Sequence, residues 1–267
     1  MHARHGPCPS HNGPTDTEGI IDSVFCPSPV EGGRLSIRPA TAAFFVARQK
    51  NLWYDGANES GVERETKMIL LVIRHGESEA DILDVHEGRA DFELTQKGHR
   101  QAAAMAKHVA ENYRLTRIYA STLKRAAQTA RHLSDETETE IKFDPDLMEF
   151  NNGLLAGLSR EDADRLYPHV ENLPIDQAVY GQESKVEFRN RAVNVLQRVL
   201  SENGSESVIA IVTHGGMVNQ LYGALLHMPI GENCFFRTAD TGIHIWEITE
   251  HGSYVIKANM DDHISGI

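Results

Sequence analysis

Two histidines stand where an apolar run gives way to glycine. His75 lies in Arg74-His75-Gly76, directly after Met68–Ile73, and His214 lies in Thr213-His214-Gly215-Gly216, directly after Ser207–Val212. Two arginines (Arg74 and Arg125) and one carboxylate (Glu149) fall at the ends of the same apolar run or of other short ones. Together these groups suit a phosphoryl group. Guanidinium forks bind phosphate oxygens bidentately, and backbone N–H groups at a helix start add to an anion site. A neutral imidazole can attack phosphorus in line to give a phosphohistidine. Gly76 and Gly215 let the backbone turn without a Cβ in the way. A carboxyl group can protonate the departing alkoxide and then deprotonate water. Ser78, a few residues past His75, and Gly215 join Arg74, Arg125 and His214 as candidate phosphate contacts.

Each feature alone has a plainer explanation. His75 could be a satisfied histidine at a strand end, Arg125 a solvated charge on a helix, and Glu149 a turn residue before Phe150-Asn151-Asn152-Gly153. A lone R-H-G is a weak signal; Arg4-His5-Gly6 repeats it with no strand before it. The weight lies in the joint order of the elements. Other chemistries lack their signatures. There is no H-E-x-x-H, no cluster of metal-ligand spacing and no G-x-x-x-x-G-K-[ST].

The elements that must position these groups alternate from Met68 onward. Met68–Ile73 reads as a strand buried on both faces. A helix opens at Leu94-Thr95 and runs to about Asn112, with Thr95 as its N-cap. Arg117–Ala120 is a second strand, and Ser121-Thr122 should cap the helix through Leu133. Ile141–Phe143 is a third strand, Glu183–Leu200 a long helix, and Ser207–Val212 another buried strand. A helix follows from Gly215 to about Leu226, and 242–249 with 253–258 form a terminal hairpin. The pattern predicts an α/β fold: a three-layer sandwich with a mostly parallel central sheet flanked by helices. In such sheets functional groups collect at the carboxyl ends of strands, where these residues fall.

Composition narrows the partners. A formal charge of −12 argues against a surface for nucleic acid or a polybasic membrane anchor. The apolar runs are too short to span a bilayer. Cys8, Cys26 and Cys234 show neither C-x-x-C spacing nor the density of a disulfide scaffold, so a cytoplasmic setting is expected. Residues 1–67 hold six of the ten prolines and little apolar periodicity. They read as an irregular N-terminal extension, dispensable or non-native, without the pattern of a signal peptide. Within it only Thr41–Tyr54 suggests a short helix. Residues 68–267 form the domain.

Six blocks carry a family resemblance: LVIRHGESEAD (71–81), ELTQKGHRQA (93–102), YASTLKRAAQTA (119–130), LMEFNNGLLAGLS (147–159), GQESKVEFRNRA (181–192) and VTHGGMVNQL (212–221). In this order they resemble the histidine phosphatase superfamily, the phosphoglycerate mutase-like group with the RHG signature. The resemblance implies the phosphoglycerate mutase-like fold, with His75 as the phosphorylated nucleophile. It makes Arg74, Arg125 and His214 the phosphate holders and Glu149 the proton donor. It implies no metal and no organic cofactor.

Asp81 departs from the pattern, which commonly has Asn there, so it should either point away from the phosphate or alter substrate preference. Leu154-Leu155-Ala156-Gly157 replaces the W-E-G that often follows the acid. Sixty-five positions separate Glu149 from His214, a shorter connection than mutases of the group carry. A water-open site, and hence a phosphatase acting on a small phosphorylated metabolite, is expected. The alternatives are a mutase-type phosphotransferase and a phosphate-binding module, although neither nucleophile nor acid is missing. Ser159–Gln182 is the expected lid, with Arg160, Arg165, Tyr167, His169 and Tyr180 as candidate contacts. His86 and Arg89 are candidates for a second anionic group. Oligomeric state, a homodimer included, stays open.

Overall fold

A computed structural model describes residues 66–231 and 234–267. Thr41–Tyr54, Arg4-His5-Gly6, Cys8 and Cys26 lie outside the described residues. Cys234 is exposed and unpaired.

The chain runs β1 (Lys67–Arg74), α1 (Glu79–Leu83), α2 (Gln96–Asn112), β2 (Arg117–Ala120), α3 (Lys124–Thr137) and β3 (Ile141–Phe143). It continues with α4 (Arg160–Leu166), α5 (Lys185–Glu202), β4 (Val208–Thr213), α6 (Gly215–Leu225), β5 (Ile243–Thr249) and β6 (Gly252–Met260). The six strands form one sheet in the order β3-β2-β4-β1-β5-β6. The pairs β2–β3, β2–β4 and β1–β4 are parallel, and the terminal hairpin adds β5 and β6 antiparallel. The expected sandwich is therefore present, with a mixed sheet whose parallel half carries the strand ends of interest.

Alternation along the central strands makes two separate cores. On one face Leu70 and Val72 of β1 and Ile209 and Ile211 of β4 pack against Phe188 and Val195 of α5 and Leu221 and Tyr222 of α6. On the other, Leu71 and Ile73 with Ala210 and Val212 pack against Met105 and Val109 of α2 and Ala130 and Leu133 of α3. Successive side chains on a strand point to opposite faces, so a continuous apolar run serves both layers. Each fully buried Leu or Ile contributes roughly 2 kcal/mol.

The helix starts differ in detail from the sequence pattern. Thr95 caps α2 as expected, accepting from the Gly98 N–H at 2.9 Å. Ser121-Thr122 does not cap α3; Leu123 does. The Ser121 hydroxyl is instead turned to His214. Helix α5 begins at Lys185 rather than Glu183, because Ser184 and Glu187 make a reciprocal capping box at 3.1 and 2.7 Å. That leaves Glu183 outside the helix and available to an arginine. Helices α1 and α4 were not expected. Each buries a single alanine, Ala80 and Ala163, so neither has an apolar stripe to read.

Candidate active site

Strands β2, β4 and β1 are neighbours, and their carboxyl ends deliver Ser121, His214 and His75 to one edge of the sheet. Arg74 pairs with Thr213 in the β1–β4 register, and the His75 N–H donates to the Thr213 carbonyl at 2.9 Å. The two imidazoles are therefore fixed by one ladder. Their ring centroids are 5.0 Å apart.

His75 is 1% exposed. Its Nδ1 lies 2.8 Å from the Gly76 carbonyl, which can only accept, so Nδ1 carries the proton. Nε2 is then the lone-pair nitrogen. The Arg125 Nε–H donates to it at 3.2 Å. Burial, then the charges of Arg125 and Arg74, hold the imidazole well below its ordinary pKa and keep it neutral. The turn after it is crowded. A Cβ on Gly76 would strike the Gly98 carbonyl, and one on Gly98 would strike that of Glu77. The QKG start of α2 thus packs directly on the nucleophile loop.

Arg125, on α3, is fully buried. Its outer nitrogens donate to the carbonyls of Ala90 and Gly88, both at 2.9 Å. The guanidinium is held edge-on to His75 before any ligand arrives. His214 is fully buried too, with Nε2 2.8 Å from the Ser121 hydroxyl. Its Nδ1 is buried with no hydrogen-bond partner among the described residues. A buried orphan nitrogen beside a nucleophile is what an incoming oxyanion would satisfy. Burial first, then Arg125 and His75, depress its pKa as well. Gly215 opens α6, and its missing Cβ faces the Arg74 side chain at 3.9 Å.

Arg74 is on the rim. It donates to the Thr238 carbonyl at 2.8 Å and pairs with Asp240 at 3.2 Å and Asp81 at 3.9 Å. It still lies close enough to lower the pKa of both histidines. Asp81 is turned onto the start of α1, where it accepts from the Ser78 N–H at 2.8 Å and the Ser78 hydroxyl at 3.1 Å. Ser78 is fully buried and also donates to Glu87.

Glu149 is held on α6. One carboxylate oxygen accepts from the Gly216 N–H at 2.8 Å and the other from the Phe150 N–H at 2.7 Å. A Cβ on Gly216 would collide with this carboxylate, so the second glycine of the block makes room for the acid. Burial raises the Glu149 pKa, against the two N–H groups that lower it. A carboxyl group so placed can hold a proton at higher pH than usual.

Arg191 of α5 had no expected role. It donates to the carbonyls of Asp146, Met148 and Glu149 at 2.5, 2.9 and 3.1 Å, and forks onto Glu183 at 3.0 and 2.7 Å. Glu183 in turn accepts from the Asn151 N–H at 2.7 Å. This pair braces the acid loop from behind. Both residues lie in the 181–192 block, but nothing in their spacing announces the contact.

The lid candidates are mostly engaged elsewhere. Arg160 pairs with Asp84 at 2.8 Å and Arg165 with Asp162 at 2.6 Å, all four exposed. The rings of Tyr167 and Tyr180 lie 5.2 Å apart, and His169 is exposed. The His86 backbone bonds Leu158 and Gly157, stitching the 84–94 loop to the segment just before the lid. Arg89 lies 3.8 Å from Glu183, its Nε buried and without a partner among the described residues. Among the described residues no group of three or more His, Cys, Asp or Glu is placed to hold a metal, and no helix is long and apolar enough to cross a membrane.

The arrangement offers a neutral nucleophile, a guanidinium and an orphan imidazole nitrogen around one point, with a proton carrier beside them. Comparison with known proteins agrees. Residues 70–261 match the family described as histidine phosphatase superfamily (branch 1). Phosphoserine phosphatase 1 of Hydrogenobacter thermophilus is 26% identical over 200 residues, covering 73% of this chain and 93% of that protein. Glucosyl-3-phosphoglycerate phosphatase of Mycolicibacterium vanbaalenii is 29% identical over 170 residues, covering 60% and 75%. The solved structure of Bacillus stearothermophilus YhfR superposes with a TM-score of 0.66 at 25% identity, covering 74% of this chain and 99% of the other. The two relatives just described are phosphatases by name; with its fold, its motif order and a family match over most of its length in agreement, the chain belongs to the histidine phosphatase superfamily, branch 1.

Proposed function

We propose that the protein hydrolyses small phosphomonoesters through a phosphohistidine on His75, with Glu149 as the proton carrier. The observation that carries this is the state of His75: a buried imidazole with its proton committed to Gly76 and its Nε2 lone pair directed at Arg125. The ester docks with its phosphoryl oxygens on Arg125 and the free nitrogen of His214, and with Arg74, Ser78 and the start of α6 at Gly215 on the rim. His75 Nε2 forms a bond to phosphorus while the ester P–O bond breaks, and Glu149 gives its proton to the departing alkoxide. Glu149, now a carboxylate, takes a proton from water. The water oxygen bonds phosphorus, the N–P bond breaks, and phosphate leaves. Arg125 gains most as charge redistributes on the phosphoryl oxygens, since it is already in place.

Hydrolysis rather than transfer to a second substrate hydroxyl is supported by the short connection between Glu149 and His214 and by the phosphatase names of the relatives. Phosphoserine and glucosyl-3-phosphoglycerate, on which those relatives act by name, head the substrate panel. We place the activity in residues 68–267, since the family match starts at residue 70. The cysteine spacing supports a cytoplasmic setting.

The test is phosphate release from p-nitrophenyl phosphate and from the panel at mildly acidic pH. Acid-labile labelling of the protein by the substrate should be lost in His75→Ala. Phosphate binding without turnover would leave a binding module instead, and isomerisation of 3-phosphoglycerate without phosphate release would make it a mutase.

A further inference from the structure

We propose that Glu87 is a resident anion that competes with the substrate's phosphoryl group for Arg125, Ser78 and His75, making oxyanion binding weaker as pH rises. The inference rests on the reading of this pocket as the phosphate site, and goes beyond it.

Glu87 sits on the loop between α1 and α2, with its side chain 20% exposed. One carboxylate oxygen accepts from the Ser78 hydroxyl and lies 3.5 Å from the Arg125 Nε. The other lies 3.8 Å from the His75 Nε2, the nitrogen that must reach phosphorus. These are three of the groups a phosphoryl oxygen would use. The remaining charges around it do not offset an added anion. From α1, Asp81 shares the Ser78 hydroxyl. From the acid loop, Glu149 feels the Glu87 charge. From the end of β1, Arg74 is already paired with Asp81 and Asp240. On its own loop, Arg89 is drawn to Glu183 and the His86 backbone is bonded to Gly157 and Leu158. Among the described residues, Arg125 is thus the cation shared directly by Glu87 and the incoming phosphoryl group.

Two anions at this separation disfavour each other. A phosphomonoester can enter only if Glu87 takes up a proton and donates it to a phosphoryl oxygen, or if its carboxylate swings out of the pocket. The first becomes harder as protons grow scarce, whereas the second costs the Arg125 and Ser78 contacts at any pH. A glutamine here would keep the acceptor for Ser78, add an N–H for the phosphoryl group and carry no charge.

The experiment measures inorganic phosphate binding to the full chain by calorimetry from about pH 5 to about pH 8, for wild type, Glu87→Gln, Glu87→Asp and Glu87→Ala. Ionisation of phosphate itself is common to all four and cancels in the ratios. Glu87→Gln should bind about tenfold tighter than wild type at the alkaline end, a gap of one pK unit's worth, and the gap should narrow toward the acid end. Glu87→Asp should keep the wild-type slope. Glu87→Ala, which also removes the charge, should shift in the same direction as Gln and guards against a fault peculiar to the amide. Equal affinities at every pH, or weaker binding by both Gln and Ala variants, would overturn the proposal while leaving the phosphate site standing. No phosphate binding by any of the four would remove the pocket reading and this inference with it.

Discussion

The Glu149 carboxylate rests 2.8 Å from the backbone N–H of Gly216, at the start of the helix that follows His214. Glu149 and the His214 imidazole therefore share one support. The helix dipole favours the charged form of Glu149, whereas burial favours the neutral one, and burial is the larger effect. Gly216→Ala should push the carboxyl group off this seat. Turnover should fall by about 10- to 100-fold, with the melting temperature changed far less than for a core cavity. Steady-state kinetics beside a thermal melt will show whether the loss is positional.

Glu149→Gln separates the two halves of the reaction. A nitrophenolate leaves without help, but an alkoxide needs a proton, so alkyl phosphates should lose about 10²- to 10⁴-fold in phosphorylation of His75. The p-nitrophenyl ester should lose much less in that step. Equal losses in single-turnover measurements would remove Glu149 from the acid role.

Arg191 and Glu183 brace the loop that carries Glu149 through its backbone. Arg191→Met strands a largely buried carboxylate and should destabilise the fold by about 3 kcal/mol. Adding Glu183→Leu should restore much of that stability. Turnover should stay low in the double variant, with KM nearly unchanged, because the carbonyls of 146, 148 and 149 have lost their brace. A double variant with wild-type kcat would reduce the pair to a fold support.

Acid should weaken the fold through its buried histidines. His244 is lowered from 6.5 to about 4 by burial. It is held in one tautomer by the Asn259 N–H on its Nδ1 at 3.2 Å. His75 and His214 are depressed as well. Below about pH 6.5 the unfolded chain binds protons that the folded chain refuses, so stability must fall as pH falls. For His244 the shift amounts to about 3 kcal/mol once the pH has passed below about 4. Denaturant melts between pH 7 and 4.5 should show midpoints falling with acidity. A curve that is flat or rises would contradict neutral burial of these rings.

Much of this site could be read from strand ends alone. His75, His214 and Arg125 follow β1, β4 and β2 in the chain, and a parallel sheet puts those ends on one edge whatever the loops do. Glu149 was legible from its block. The supports were not. Ser121 looked like a cap because hydroxyls usually cap, and only the neighbouring strand shows that His214 claims it. Glu183 and Arg191 are polar positions off the apolar stripe of their helix pattern; Arg191 donates to backbone carbonyls 42 to 45 positions away, and Glu183 accepts from a backbone N–H 32 positions away. The direction of Asp81 is not readable in the sequence; a bond from the Ser78 N–H, three residues back, decides it. Glu87 gave no signal, because an acid in a loop is ordinarily solvated.

The adjacency of β1 and β4 has a last consequence. Their separation is the repeat of the sheet, about 4.8 Å, and the imidazoles that follow them stand at nearly the same spacing. Reactive geometry is thus inherited from backbone pairing rather than from the connecting segments. A chain cut within 170–176 should keep the His75 and His214 rings in place, because neither β1 nor β4 loses its partner.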